Sequence, residues 1–386
     1  MEPGQLIADR FVIEDRAGAG GMAAIYRARD QKTGKTVALK LLHNGGTDGE
    51  NRFVREAELL AEIVHPGIVG YVAHGVEGGT PYLAMRWVDG ETLSERLKRD
   101  GAIGAEATVD LGIAVADALG AAHARGVVHR DLKPGNLMIP RGESMARTLL
   151  LDFGIARMLD SVSPMTQPGI LVGTPGYVSP EQARASPEID ARSDLFSLGC
   201  VLYACLTGKP PFRGQDLVAV LAKIVFQETP RVRDEARNVH PELDAVVARL
   251  MAKERAERYQ TAREAADALR AVRPQLGGDR MLTSTTSGGG ISSREARLCS
   301  MVIVNGSAEW GAAAQGEAIM IARRAGGEAE GFASGALAVK FVGSASAAER
   351  ALAAARCALT LRDRFPGAPV SLATVRSGLG SEEFVV

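Results

Sequence analysis

Between two strand-like runs lies Gly18-Ala19-Gly20-Gly21-Met22-Ala23-Ala24-Ile25. A backbone this poor in side chains can bend closely over phosphate groups and turn its N–H groups toward them. Alone the pattern is weak, because in a chain with 44 glycines a hairpin turn explains such a match more often, and Ala23 stands where a third glycine is usual. Val37-Ala38-Leu39-Lys40 follows on the next strand, where a lysine reaches the α- and β-phosphates if a carboxylate holds its ammonium in place. Glu56, in the helical run RFVREAELLAEI, can supply that carboxylate; the plainer reading pairs it with Arg52 one turn earlier. Two further strings decide the matter. His129-Arg130-Asp131-Leu132-Lys133-Pro134-Gly135-Asn136 follows a helix, and Asp152-Phe153-Gly154 follows the strand-like TLLL. Two such strings at this separation do not arise from ordinary packing.

The elements that must position these residues are legible in hydrophobic period. Residues 10–42 alternate apolar and polar positions between turn signals, a meander of half-buried strands. Residues 50–64 place Phe53, Leu59, Leu60 and Ile63 at helical spacing, and His65-Pro66-Gly67 ends that helix. Strand-like runs follow around 67–73 and 81–88, so one helix is expected among five strands. From 92 to 126 and from 190 to 272 the pattern is helical, an α-rich lobe.

In this order the motifs resemble the protein kinase family, and within it the bacterial branch of serine/threonine kinases, over residues 8–273. The likeness continues through Gly173-Thr174-Pro175-Gly176-Tyr177-Val178-Ser179-Pro180-Glu181, Asp194-Leu195-Phe196-Ser197-Leu198-Gly199 and Arg258. It implies an α+β, two-lobed fold, with a β-rich N-lobe carrying one helix (1–88) and an α-rich C-lobe (89–273). It also implies transfer of the γ-phosphate of ATP, with Mg²⁺, to Ser/Thr hydroxyls on protein substrates. Asp131 would accept or orient the substrate hydroxyl proton, and Lys133 would lie beside the γ-phosphate. Asn136 and Asp152 would hold Mg²⁺ ions that bridge the phosphates. Gly18 and Gly20 would cover the phosphates, with Lys40 and Glu56 as the anchoring pair. Met85 would be the gatekeeper, Arg86 to Val88 the hinge that pairs with adenine, and Ile25, Ala38 and Met138 the apolar sandwich around the ring. Thr174 would hydrogen-bond near Asp131. His129, Phe153 and Leu60 resemble members of an apolar spine, Asp194 would cap the catalytic-loop backbone, and Glu181 would pair with Arg258. In the activation-loop stretch 155–172, Ser161, Ser163 and Thr166 are phosphorylation candidates, with Arg130 and Arg157 available to bind the added charge. The DLKPGN form and the segment GTPGYVSPEQ resemble enzymes acting on proteins rather than on small molecules. The rival reading is a nucleotide-binding pseudokinase scaffold, opposed by the intact set Lys40, Glu56, Asp131, Asn136 and Asp152.

Composition narrows the remainder. Lys+Arg (45) nearly balance Asp+Glu (46), so no global field draws in nucleic acid or acidic lipid. The chain shows neither a leader-like N-terminus nor a run of apolar residues long enough to insert in a membrane. The four cysteines lack CxxC spacing, which suits a reducing cytoplasmic setting. Residues 274–293 are rich in Gly, Ser and Thr, the composition of a tether. After it, residues 294–386 read as a small α/β module with a fainter resemblance, by pattern, to a truncated nucleotide cyclase domain. Where that family carries metal-binding aspartates, Asn305 and Ser334 stand here, so no cyclase chemistry is expected. A regulatory or dimerising role is expected instead, with Ile319, Ala322, Leu352 and Leu359 on the apolar helix faces and a homodimer as one outcome.

Overall fold

A computed structural model describes residues 1–19, 23–42, 46–153, 175–214, 216–276, 297–304, 312–332, 336–342 and 346–377. The expected N-terminal meander is a six-stranded antiparallel sheet in the order β1-β2-β3-β4-β6-β5. Its strands are β1 (Leu6–Ile7), β2 (Phe11–Ala19), β3 (Ala23–Asp30), β4 (Thr36–Leu42), β5 (Tyr71–Glu77) and β6 (Thr80–Arg86). The short β1 adds one strand to the five read from the sequence. The run placed at 67–73 extends to Glu77, because Gly78 and Gly79 (φ +56° and +76°) form the two-residue turn that closes the β5–β6 hairpin on Glu77 and Thr80. The single helix α1 (Gly46–Ala61) seats Phe53 and Ala57 in the core.

The register of these strands separates two faces. Phe11, Ile13, Tyr26, Val37, Leu39, Tyr82 and Ala84 pack together on one of them. Ile25 opposite Lys40, and Ala38 opposite Met85, share the other, since directly paired residues of an antiparallel ladder project to one side. The sheet is joined to the second lobe through Ile68, which bridges Leu150, and through the Val69 amide, which donates to the Leu150 carbonyl at 3.1 Å.

The second lobe opens with a small sheet of β7 (Gly90–Thr92), β8 (Leu137–Pro140) and β9 (Leu149–Leu150). Around it lie α2 (Leu93–Asp100), α3 (Ala105–His123), α4 (Pro180–Ala183), α5 (Ala191–Thr207), α6 (Leu217–Phe226), α7 (Val232–Glu235), α8 (Pro241–Leu250) and α9 (Ala262–Leu276). From Ser193 to Leu206 every residue of α5 is buried, as an all-round apolar helix must be. Gly199 permits that depth: a Cβ there would meet the Met251 side chain at 2.7 Å. The boundary drawn at 273 falls inside α9, which continues through Pro274 to Leu276. Pro274 has no N–H to donate to the Arg270 carbonyl, and the helix ends two residues beyond it.

The remaining elements are β10 (Arg297–Val304), α10 (Ala312–Arg324), β11 (Glu328–Gly331), β12 (Leu337–Phe341), α11 (Ala347–Arg364) and β13 (Val370–Ser377). They form a βαββαβ unit with an antiparallel sheet in the order β11-β12-β10-β13. Asn305 and Ser334 lie outside the described residues.

Candidate active site

The loop from His129 to Asn136 owes its shape to one buried side chain. Asp194, 1% exposed in the first turn of α5, accepts the backbone N–H groups of His129 and Arg130, each at 2.8 Å, and the Nε2–H of His123 at 2.8 Å. Arg130 adopts φ +62° and Asp152 φ +34°. Non-glycine residues occupy such backbone only where surrounding bonds over-determine it, and they gather at functional sites. The Arg130 carbonyl accepts a further bond from Gln182 Nε2 at 2.7 Å. Gln182 is itself aimed by the capping box it forms with Ser179 at the start of α4.

His129 is fully buried, and that burial holds its imidazole below the usual value and neutral. Its Nε2–H donates to the Leu151 carbonyl at 2.8 Å, while Nδ1 accepts the Asp131 amide at 3.2 Å. Its ring lies 4.9 Å from that of Phe153 at an interplanar angle of 43°, so the two strings recognised in the sequence meet in a tilted ring contact.

Asp131 sits at the centre. Its Oδ2 accepts Lys133 Nζ at 2.8 Å and Asn136 Nδ2 at 3.0 Å, and its carbonyl accepts Asn136 Nδ2 at 2.7 Å. With its amide nitrogen committed to Asp131, Asn136 has its carbonyl oxygen left to offer a cation. Asp152 Oδ2 pairs with Lys40 Nζ at 3.1 Å. Asp152 Oδ1 is buried, with no hydrogen-bond partner among the described residues. A buried carboxylate oxygen without a donor is costly, and a hard cation satisfies it. The residues present therefore fit Mg²⁺. Among the described residues no cluster of three or more His, Cys, Asp or Glu could form a cage of protein ligands alone, which suits an ion held largely through substrate phosphates.

One expected pair is corrected. Lys40 meets Asp152, and among the described residues no ion pair joins it to Glu56. Burial raises the Glu56 pKa, and the opposing charge it feels is Arg130. With Phe53 and Ala57 anchored in the core, α1 is placed so that Glu56 lies under the influence of the catalytic-loop arginine.

Gly18 lies in β2 opposite Ile25, and Ile25, Ala38, Lys40 and Met85 are half-buried on one sheet face. Val88, just beyond β6, and Met138, in β8, are half-buried as well. Gly20, Ser161, Ser163, Thr166 and Thr174 lie outside the described residues. Glu181 and the fully buried Arg258 make a two-pronged pair at 2.8 and 2.9 Å. Sequence reasoning passed over His123 and Gln182. The Ser179-Pro-Glu-Gln182 box is a helix-start signature that could have singled out Gln182, whereas no local signal ties His123 to Asp194.

Residues 11–269 match the family described as protein kinase domain. Serine/threonine-protein kinase PknB of Mycolicibacterium smegmatis is 40% identical over 272 residues, covering 68% of this chain and 43% of that protein. PknB of Mycobacterium tuberculosis is 38% identical over 268 residues, covering 67% and 42%. The chain thus spans less than half the length of these relatives. The solved kinase domain of Mycobacterium tuberculosis PknI superposes with a TM-score of 0.56 at 26% identity, over 70% of this chain and 99% of that one. Rad53, solved in complex with AMP-PNP, superposes with a TM-score of 0.57 at 27% identity, over 67% and 64%. With a family match across most of its length, a curled antiparallel sheet above a helical lobe and the catalytic loop at their junction, this chain belongs to the protein kinase family.

Proposed function

We propose that the chain is a serine/threonine protein kinase that transfers the γ-phosphate of ATP to hydroxyls on protein substrates. The observation that carries this reading is the constellation around Asp131. A carboxylate flanked by Lys133 and Asn136 stands on a strained, Asp194-clamped loop, beside an aspartate with one unsatisfied oxygen. Asp131 is the group to orient a substrate hydroxyl and take up its proton, and Lys133 the cation to balance charge on the transferred group. Asn136 and Asp152 would hold Mg²⁺, which when bound supplies charge neutralisation at the phosphate oxygens. The face bearing Ile25, Ala38 and Met85, with Val88 and Met138 nearby, is the apolar surface for the adenine, as the AMP-PNP complex of Rad53 supports by analogy.

In this reading the Lys40–Asp152 pair belongs to a resting arrangement. Transfer needs Lys40 anchored by a helix carboxylate and Asp152 free for metal, so Glu56 has to exchange the field of Arg130 for Lys40. No helix among the described residues is long and apolar enough to cross a membrane. Cys200, Cys205 and Cys357 are buried free thiols, with burial pushing Cys205 up to about 12 and Cys357 up to about 11; the cytoplasmic setting we propose rests on the lack of CxxC spacing among the four cysteines.

The test is autophosphorylation of purified protein with MgATP, mapped by mass spectrometry. Asp131→Asn is expected to fold with an unchanged melting temperature and to lose nearly all phosphate incorporation. Chelation of divalent cations is expected to abolish the wild-type signal. Full incorporation by Asp131→Asn would overturn the assignment.

A further inference from the structure

The sheet of the C-terminal unit has two apolar faces, and only one is covered by its own helices. Val302, Val304, Leu337, Val339 and Phe341 pack beneath α10 and α11 with Ala322, Ala354, Cys357 and Leu361. Of the four residues expected on apolar helix faces, Ala322 and Ile319 are spent inside this core, whereas Leu352 and Leu359 stay exposed. The opposite face presents Met301 and Ala338, flanked by Ala336 and Phe332. These are 7%, 0%, 1% and 3% exposed, respectively, and they join one continuous apolar cluster with Val220, Leu221 and Val225 of α6. Two polar contacts frame the join. Arg184 Nε donates to Glu330 Oε2 at 2.6 Å, and Lys340 Nζ donates to the Phe226 carbonyl at 3.2 Å.

The join has the character of a separable interface. The side chains of Arg184 and Glu330 are each about one-third exposed (32% and 34%), so solvent screens their pairing. A cleft of about 660 Å³, bordered by Arg184, Phe226, Arg323, Glu328 and Lys340, runs along it. Interfaces between domains of one chain are commonly of this reversible kind. Covalent connection raises the local concentration to the order of millimolar, so a weak contact still stays mostly closed.

Its position gives it consequence. Arg184 caps the C-terminus of α4, and Gln182 in that same helix holds the carbonyl of Arg130, next to Asp131. The polypeptide flanking a hydroxyl delivered to Asp131 has to pass close to this ground.

We propose that the C-terminal βαββαβ unit is an intramolecular gate on protein substrates. Docked by its sheet on the α4–α6 face, it excludes a folded protein from the surface beside the catalytic loop while leaving short peptides able to react. The proposal rests on the kinase reading above.

The experiment uses the full chain with two substrates. One is a tagged full-length Asp131→Asn copy; the other is a synthetic peptide spanning residues 155–176. Glu330→Arg sets like charge against Arg184 and Lys340, and Ala338→Asp buries a carboxylate in the seam. Both are expected to speed hydrogen exchange of the 217–226 amides. Both should lower KM for the protein copy at least threefold, with kcat/KM for the peptide unchanged within twofold. Combining Arg184→Glu with Glu330→Arg is expected to restore the exchange protection and the KM. Unchanged exchange in both single variants would show that the unit does not dock there, and unchanged KM despite faster exchange would remove the gate. Parallel changes for protein and peptide would overturn it too, locating the effect in the catalytic loop. If the wild-type chain phosphorylates neither substrate, the kinase reading itself has failed, and this proposal with it.

Discussion

Replacing Arg258 by Met, a side chain of similar reach without charge, tests whether the pair with Glu181 secures the second lobe. Arg258 is 0% exposed, and its guanidinium makes five hydrogen bonds: two to Glu181, at 2.8 and 2.9 Å, and one each to the carbonyls of Ala252 (2.8 Å), Arg192 (2.9 Å) and Lys253 (3.0 Å). Removing it strands a buried carboxylate and three carbonyls, leaving Glu181 with the Ser193 hydroxyl at 2.5 Å. Breaking one partner of a buried ion pair costs about 3–5 kcal/mol. At roughly 2–4 °C per kcal/mol for a lobe of this size, that lowers the melting temperature by about 6–20 °C. The loss carries a pH signature. In the native chain burial raises the Glu181 pKa, but the hydrogen bond and charge of Arg258, with Ser193, overcome it and hold the group below its usual value. That contribution is complete above the ordinary glutamate range and is lost as pH falls through the lower folded value. Without Arg258 the burial effect stands alone and the folded pKa rises above the unfolded one. The carboxylate's penalty is then present at neutral pH and shrinks as pH falls through the raised value. Calorimetric unfolding of both proteins at pH 8 and pH 5 is expected to show the larger gap at pH 8. A gap below about 1 kcal/mol, or one of equal size at both pH values, would refute the reasoning.

Asp194→Asn leaves one acceptor oxygen and adds an N–H where three donors converge, so at least one hydrogen bond to a charged group, worth about 1.5–3 kcal/mol, is lost from the catalytic loop. Autophosphorylation is expected to fall at least tenfold, and an unchanged initial rate would show that Arg130 keeps its strained backbone without the clamp. Thr166→Ala is expected to lower the rate toward an added protein substrate after full preincubation with MgATP, because a phosphate there would carry about −1.5 to −2 charges to Arg130. Equal rates for the two proteins would transfer the role to Ser161 or Ser163, or dispense with it.

The chemical inventory was readable from residue order alone. Asp131, Lys133 and Asn136 are close in the chain, and a loop that short has few ways to separate them, so their mutual hydrogen bonds follow from local geometry. Strand pairing was readable as well, since a period of two puts Ile25, Ala38 and Lys40 on one side and Tyr26, Val37 and Leu39 on the other. The end of β5 was not: the run placed at 67–73 reaches Glu77, where Gly78 and Gly79 turn the chain. What could not be read were choices between partners of equal chemistry. Lys40 had two carboxylates to choose from, and a few ångströms in the placement of α1 decide for Asp152 over Glu56, because an ion pair falls off steeply once water enters between the charges. His123 and Asp194 are far apart in the chain and meet only when α3 and α5 pack. In the C-terminal unit the sequence was read only as a small α/β module, although β12 carries apolar residues on both faces, Leu337 and Val339 against Ala338, which requires cover on both sides. Amino-acid order alone therefore determined which groups are the candidates for the chemistry and how the strands of the first sheet alternate. Only the tertiary packing decided that the second face meets α6 of the same chain, since apolar surface is non-directional and accepts any partner of the right shape.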